Sequence, residues 1–111
     1  MAGKSGKAAR SQSIVDLVGN TPIVRLQSER WNIHAELFLK LEFFNPWLSI
    51  KDRTALSMIE DAENRGLVGP GVPIVEATTG NTGISLAAIC AQRGYHLTIV
   101  LPDYVTRERM I

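Results

Sequence analysis

The spacing of hydrophobic positions changes along the chain from a strand pattern to a helix pattern. The segment Ala35–Glu42 alternates between leucines and mostly polar residues, which predicts a half-buried strand with Leu37, Leu39 and Leu41 on one face. From Asp52 onward, apolar residues recur at intervals of three and four, which predicts a helix that ends near Gly66. Its apolar face consists of Ala55, Met58, Ile59 and Ala62.

The other predicted elements are short and are bounded by glycine or proline. In chain order they are a helix at Ile14–Val18, a strand at Ile23–Leu26, a strand at Pro73–Glu76, a helix at Ile84–Arg93, a strand at His96–Leu101 and the start of a helix at Thr106–Arg109. The alternation of strands and helices predicts an α/β fold. We expect a three-layer arrangement in which helices flank a mainly parallel sheet.

Two loops with unusual compositions follow predicted strands. Ligands in open α/β sheets lie beyond the carboxyl ends of the strands, where Asn45–Lys51 and Thr78–Gly83 are expected to fall. The second loop combines two glycines with hydroxyl and amide side chains at a helix start, which suits an anion. A well-capped turn without a ligand explains the same residues, since Thr and Asn are good N-caps. Lys51 is similarly ambiguous, because it fits a solvated charge as well as an amine that reacts with a carbonyl.

Composition narrows the classes of function. A chain of 111 residues with 45% hydrophobic residues fits one small domain, and its net charge of +1 argues against broad contact with nucleic acid or anionic membranes. No apolar run is long enough to cross a bilayer. Cys90 is the only cysteine and is expected to be a small buried hydrophobe. His34 and His96 lack partners at ligand spacing, so no metal site is expected. A cytoplasmic, reducing compartment is favoured.

The first 13 residues differ from the rest of the chain. They carry Lys4, Lys7 and Arg10 with no acidic residue, and they lack the apolar segment of a secretory signal. We interpret residues 1–13 as a disordered basic tail, with an organelle transit peptide as the alternative. Residues 14–111 then form the structured part.

Several motifs after the tail resemble one enzyme family in order and spacing. They are Gly19–Leu26, Lys40–Pro46, Ser49–Arg53, Ile74–Gly83, Gly94-Tyr95, Leu101–Asp103 and Glu108-Arg109. In these motifs the chain resembles the cysteine synthase (O-acetylserine sulfhydrylase) and cystathionine β-synthase family of fold-type II pyridoxal-phosphate enzymes. The resemblance covers essentially everything after the tail.

The resemblance implies roles for individual residues. Lys51 would bind pyridoxal 5′-phosphate covalently and later move protons at the substrate Cα, and Asn81 would hydrogen-bond the phenolic oxygen of the cofactor. A third group would bind the substrate carboxylate: Thr78, Thr79, Gly80 and Thr82. The implied reaction is β-replacement on a serine derivative, with cysteine formation from O-acetylserine and sulfide favoured over condensation of serine with homocysteine.

The resemblance also implies features beyond these residues. Family enzymes are longer and have a second domain whose glycine-rich loop holds the cofactor phosphate, and we do not locate that loop in this sequence. We therefore expect residues 14–111 to correspond to the N-terminal part of the catalytic region, with the second domain largely absent. A homodimer and association with serine acetyltransferase are implied for the complete protein. A truncated, non-catalytic homologue that binds a partner chain is the alternative of another class.

The sequence departs from the family pattern beside Lys51. Trp47 and Leu48 stand where small residues, often glycine, are usual. A bulky pair at these positions would narrow the site or reshape its entrance. The alternative is an outward-facing aromatic side chain without functional effect.

Overall fold

The computed structural model describes residues 11–103. Their regular elements are β1 (Ile23–Arg25), β2 (Phe38–Lys40), α1 (Lys51–Asn64), β3 (Ile74–Ala77), α2 (Asn81–Arg93) and β4 (Leu97–Val100). Short 3₁₀ helices occupy Ile14–Leu17, Ser28–Trp31 and Glu42–Phe44. Most of the predicted tail and all of the predicted helix start at Thr106–Arg109 lie outside the described residues.

The second half of the described chain is a parallel β-α-β unit. β3 and β4 pair in parallel with Ile74 opposite Leu97 and Ala77 opposite Val100, and α2 connects them. This pairing confirms the predicted strand-helix-strand order and the α/β fold class for this part of the chain. The carboxyl ends of both strands therefore meet at one edge, directly before the start of α2.

The first half departs from the predicted single sheet. β2 pairs antiparallel with β1, with Val24 opposite Leu39, and this pair forms a sheet separate from β3 and β4. β2 is only three residues long instead of spanning Ala35–Glu42, and all three of its residues are exposed. The alternating pattern correctly predicts an extended segment, but burial requires a covering element, and the described residues provide none here.

The two long helices pack against each other and form most of the core. Ala55 and Ile59 of α1 are buried as predicted, whereas Met58 is 42% exposed. The core residues are Val15, Ala55, Ile59, Leu86, Ile89 and Cys90. Burial raises the pKa of the Cys90 thiol, in agreement with its predicted role as a small buried hydrophobe. α2 begins three residues earlier than predicted, which places Asn81 in its first turn.

A polar cluster joins the two helices near their carboxyl ends. Arg93 of α2 donates to the Glu63 carboxylate of α1, and the hydroxyl of Tyr95 donates to the same carboxylate across 2.7 Å. The hydrogen bond from Arg93 is the main reason that the pKa of Glu63 is lowered. This cluster and the apolar core hold α1 and α2 side by side along their lengths.

Candidate functional site

An open cleft lies at the carboxyl ends of the parallel strands. It has a volume of about 590 Å³ and is lined by Ala77, Thr78, Thr79, Val100, Leu101 and Pro102. Two of the residues predicted to bind a carboxylate, Thr78 and Thr79, therefore face a ligand-sized space. Gly80, Thr82, Asn81 and Lys51 are not among the residues that line this cleft.

At the start of α2, the end of β3 and the first helical turn approach each other closely, and no side chain caps the helix. Its N-cap is Gly80, and no side chain makes a capping hydrogen bond to the first turn, so neither Thr nor Asn serves as the N-cap. Within the loop, the Gly80 amide donates to the Thr78 hydroxyl across 3.4 Å. Gly83 is buried, and a Cβ at that position would lie 2.7 Å from the Thr78 methyl group. Glycine thus lets the strand end and the first helical turn come together. The result is a helix N-terminus open to an anion beside the cleft.

Lys51 and Asn81 occupy equivalent places in their helices. Each is the first residue of its helix, and both are exposed. The helices are bonded to each other beside these residues, because the Ser85 hydroxyl donates to Asp52 Oδ1 across 2.6 Å. The same hydroxyl oxygen lies 2.9 Å from the carbonyl oxygen of Asn81. The fold therefore brings together the starts of α1 and α2, although 30 residue positions separate Lys51 from Asn81 in the sequence.

A second polar cluster, formed around Glu42, fixes the loops that precede Lys51. Arg53 Nε donates to Glu42 Oε2 across 2.8 Å, and the Thr21 hydroxyl donates to Glu42 Oε1 across 2.7 Å. Asn45 is buried and donates to the Glu42 carbonyl oxygen, while its own Oδ1 accepts from the amide of Gly19. The loop after the first 3₁₀ helix, the 3₁₀ helix that follows β2 and the first turn of α1 are thereby joined.

The Glu42 cluster predicts a specific dependence of stability on pH. Hydrogen bonds from Arg53 and then Thr21 lower the pKa of Glu42 from 4.5 to about 2. A lowered carboxylate pKa stabilises the fold above pH 4.5, and that stabilisation is lost as the pH falls from 4.5 toward 2. We expect Glu42→Gln to lower the thermal unfolding midpoint near pH 7 by a few degrees, roughly the effect of one charge-assisted hydrogen bond.

The decisive measurement is how that difference changes between pH 7 and pH 2.5. It should shrink at low pH, because at pH 2.5 the carboxylate is already protonated in the unfolded chain and folding must remove that proton. Glu36→Gln serves as the control, since Glu36 pairs with Arg25 at an exposed position. A Glu42→Gln difference that stays constant across this range would contradict the assignment.

Trp47 and Leu48 have different environments beside Lys51. Trp47 is partly buried and packs against the core, so it is not the outward-facing aromatic of the alternative interpretation. Its amide donates to Asp52 Oδ2 across 2.7 Å. Leu48 is 73% exposed and has a φ of 63°, a left-handed conformation that glycine adopts more readily. The backbone thus keeps a shape suited to glycine while carrying leucine.

Sequence reasoning missed the residues that connect these loops. In the sequence, Asp52 marks only the point where the helical spacing begins, and Ser85 carries no signal at all. Asn45 and Glu42 appeared within motifs without assigned contacts. The spacing of Asp52, one residue after the candidate lysine, was the only available hint. Nothing local indicates that its partner is a serine on another helix.

Two further features are absent from the described part of the chain. Within residues 11–103, no group of three or more His, Cys, Asp or Glu side chains could hold a metal ion. Over the same range, no helix combines the length and the apolar character that crossing a bilayer requires.

Most of the chain matches a known protein family. Residues 14–111 match the family model described as pyridoxal-phosphate dependent enzyme, and the chain belongs to that family. A probable cysteine synthase of Bacillus subtilis is 53% identical over 95 residues, which are 86% of this chain and 30% of the relative. Cysteine synthase B of Pseudomonas syringae is 53% identical over 98 residues, covering 88% of this chain and 58% of the relative.

A solved structure supports the same assignment. The cysteine synthase of Entamoeba histolytica superimposes with a TM-score of 0.87 at 34% identity, covering 99% of this chain and 34% of that one. The predicted α/β fold and the resemblance to cysteine synthases are confirmed. The chain spans about 30% of the Bacillus relative and 58% of the Pseudomonas relative.

Proposed function

We propose that this chain supplies part of the active site of a pyridoxal-phosphate-dependent cysteine synthase. The reaction is β-replacement on O-acetylserine with sulfide as the incoming nucleophile. The observation that carries the proposal is the uncapped start of α2 at Gly80, beside a cleft lined by Thr78 and Thr79. High similarity to proteins named cysteine synthase supports this substrate class over condensation of serine with homocysteine.

The substrate carboxylate is assigned to the loop before α2. Thr78, Thr79, Gly80 and Thr82 place hydroxyl groups and backbone N–H groups near a helix N-terminus, where the dipole favours an anion. Gly83 supports this arrangement, because any side chain there would displace Thr78. The loop orients the substrate by its carboxylate, so that its Cα and leaving group take a defined position relative to Lys51.

The residues at the two helix starts fit the cofactor. Lys51 is exposed and offers its amine to the aldehyde carbon, and exposed Asn81 offers an amide N–H to the phenolic oxygen. When bound, pyridoxal phosphate supplies an electron sink for the negative charge that develops at the substrate Cα. Lys51 then holds and returns the proton at that carbon.

The remaining features of the complete enzyme are also proposals. The cofactor phosphate is assigned to a glycine-rich loop of a second domain, and residues 14–111 to the N-terminal part of the catalytic region. We further propose a cytoplasmic homodimer that is able to associate with serine acetyltransferase. A non-catalytic role in binding a partner chain is the competing function, and it predicts no selective chemistry at Lys51.

Reductive trapping tests the proposed cofactor residue directly. The chain is incubated with limiting pyridoxal phosphate, reduced with borohydride and mapped by peptide mass spectrometry. We expect modification at Lys51 to exceed that at Lys40 roughly tenfold, which corresponds to about 1.4 kcal/mol of additional binding free energy. Lys40 serves as the internal reference, because its side chain is 53% exposed on β2 and its ion pair with Glu42, 3.4 Å long, is weak at such exposure.

Two controls complete the trapping experiment. Lys51→Arg should abolish the preferred adduct without raising modification at Lys40, because arginine does not form a stable adduct with an aldehyde under these conditions. Free O-acetylserine takes up cofactor through its own amine and lowers both adducts, but it should also lower the ratio of the Lys51 adduct to the Lys40 adduct, because it binds beside Lys51 only. Equal modification of Lys51 and Lys40 in the wild-type chain would refute the assignment of Lys51.

A further inference from the structure

The Asp52 carboxylate is fully buried between the starts of the two helices. It is the second residue of α1 and has no exposed surface, and its partner Ser85 on α2 is also fully buried. Asp52 Oδ1 accepts from the Ser85 hydroxyl across 2.6 Å, and Oδ2 accepts from the Trp47 amide across 2.7 Å. Each carboxylate oxygen therefore has one donor, and the donors come from two different parts of the chain.

A carboxylate in this position is a poor choice for stability alone. Removing a charge from water is costly, and a well-packed apolar side chain usually stabilises a core at least as well. In the described part of the chain, the salt bridges do not include Asp52. The carboxylate fixes the distance and the relative orientation of the two helix starts, because its hydrogen bonds are directional and apolar contacts between helices are not.

The bonds of Asp52 extend to both residues assigned to the cofactor. Asp52 follows Lys51 directly in the first turn of α1. Ser85 Oγ also lies 2.9 Å from the carbonyl oxygen of Asn81, in the first turn of α2. Trp47 extends the connection to the loop that leads into Lys51. One continuous set of bonds thus joins the Lys51 loop, the start of α1 and the start of α2.

We propose that Asp52 and Ser85 are a positioning pair that sets the separation and orientation of Lys51 relative to Asn81. The inference rests on the proposed function, because it takes Lys51 and Asn81 as the residues that contact pyridoxal phosphate. Neither Asp52 nor Ser85 touches the cofactor. The pair acts by holding two helix starts in register, and displacements of about 1 Å at a reacting group cost up to a hundredfold in rate.

Ser85→Ala is the variant that tests the pair. It removes the hydroxyl that links the helices. The alanine that remains is small and favours a helix, so the apolar core is unaffected. We expect the ratio of trapped adduct at Lys51 to adduct at Lys40 to fall roughly tenfold. Ser57→Ala is the matched control, because Ser57 is an exposed serine of α1, and its ratio should equal that of the wild-type chain.

Asp52→Asn tests whether the hydrogen bonds of Asp52 or its negative charge hold Lys51 and Asn81 in position. The amide oxygen still accepts from the Trp47 amide, and the amide nitrogen donates to Ser85 Oγ, which is then free to donate to the Asn81 carbonyl oxygen. We expect the Lys51 to Lys40 ratio to remain within about twofold of the wild-type value. A purely structural role predicts a different result, in which Ser85→Ala lowers the unfolding midpoint and leaves the ratio unchanged. That result would overturn the inference.

Hydrogen exchange separates failure of this inference from failure of the proposed function. The amides of Gly83 and Ile84 both bond to the Gly80 carbonyl oxygen in the first turn of α2. Release of this turn in Ser85→Ala should accelerate their exchange roughly tenfold without pyridoxal phosphate. If trapping in the wild-type chain shows no preference for Lys51 over Lys40, the proposed function is refuted. Hydrogen exchange alone would then show whether Asp52 and Ser85 hold the two helix starts together. Unchanged exchange in Ser85→Ala would refute the positioning pair.

Discussion

Leu86→Ala is expected to destabilise the chain by about 2–5 kcal/mol, the usual cost of truncating a fully buried leucine. Leu86 lies in α2, is 1% exposed and belongs to the core cluster formed with α1. Truncation removes transfer free energy and leaves a cavity that two rigid helices close only in part. A domain of this size is stable by about 5–15 kcal/mol, so a large fraction of its free energy of unfolding would be lost.

Urea unfolding followed by circular dichroism measures this loss. Ile84→Ala is the control, because Ile84 is in the same helix but is 54% exposed, and the change should stay within about 0.5 kcal/mol. If Leu86→Ala were as mild as Ile84→Ala, the packing of α1 on α2 described above would be wrong.

Lys51→Arg is expected to reduce cysteine formation by about a thousandfold or more when this chain works within a complete enzyme. A chimera provides that setting, with residues 14–103 replacing the matching segment of the Bacillus subtilis relative. Arginine keeps the positive charge and the helix start at position 51 but supplies no amine that forms a stable bond with an aldehyde. Activity is measured with O-acetylserine and sulfide.

Lys40→Arg in the same chimera is the matched control and should retain activity within about threefold, since Lys40 is an exposed strand residue. An active chimera that tolerates Lys51→Arg would exclude the proposed chemistry. A folded chimera that binds pyridoxal phosphate but forms no cysteine would favour the non-catalytic alternative. These outcomes distinguish a requirement for Lys51 from the ability of the whole segment to support cysteine formation.

Periodicity predicted the elements whose apolar residues repeat at a regular spacing along one face. The spacing of Ala55 and Ile59 predicted the buried face of α1, and the order of strands and helices predicted the parallel pairing of β3 and β4. The same reasoning overestimated the burial of β2. Alternation shows which side chains share a face, but it does not show which segment will cover that face.

Sequence reasoning likewise predicted one part of the candidate site and missed another. The loop at Thr78–Gly83 was recognisable, because its residue types carry their chemistry in the sequence itself. The bond between Asp52 and Ser85 was not recognisable, because 33 positions separate two residue types that are common on solvent-exposed helix faces. Contacts of this kind depend on how two helices meet, which no local pattern of residues encodes.

The loop at Gly19 has an evolutionary consequence. Gly19 has a φ of 89°, and a Cβ at this position would lie 2.9 Å from a guanidinium nitrogen of Arg53. A new side chain would have to overcome backbone strain and also displace the arginine that pairs with Glu42. The backbone strain at position 19 persists whatever residue stands at position 53, and the bond of Arg53 to Glu42 adds a second constraint. A single substitution at position 19 has to meet both constraints at once, which makes this corner of the fold resistant to stepwise divergence.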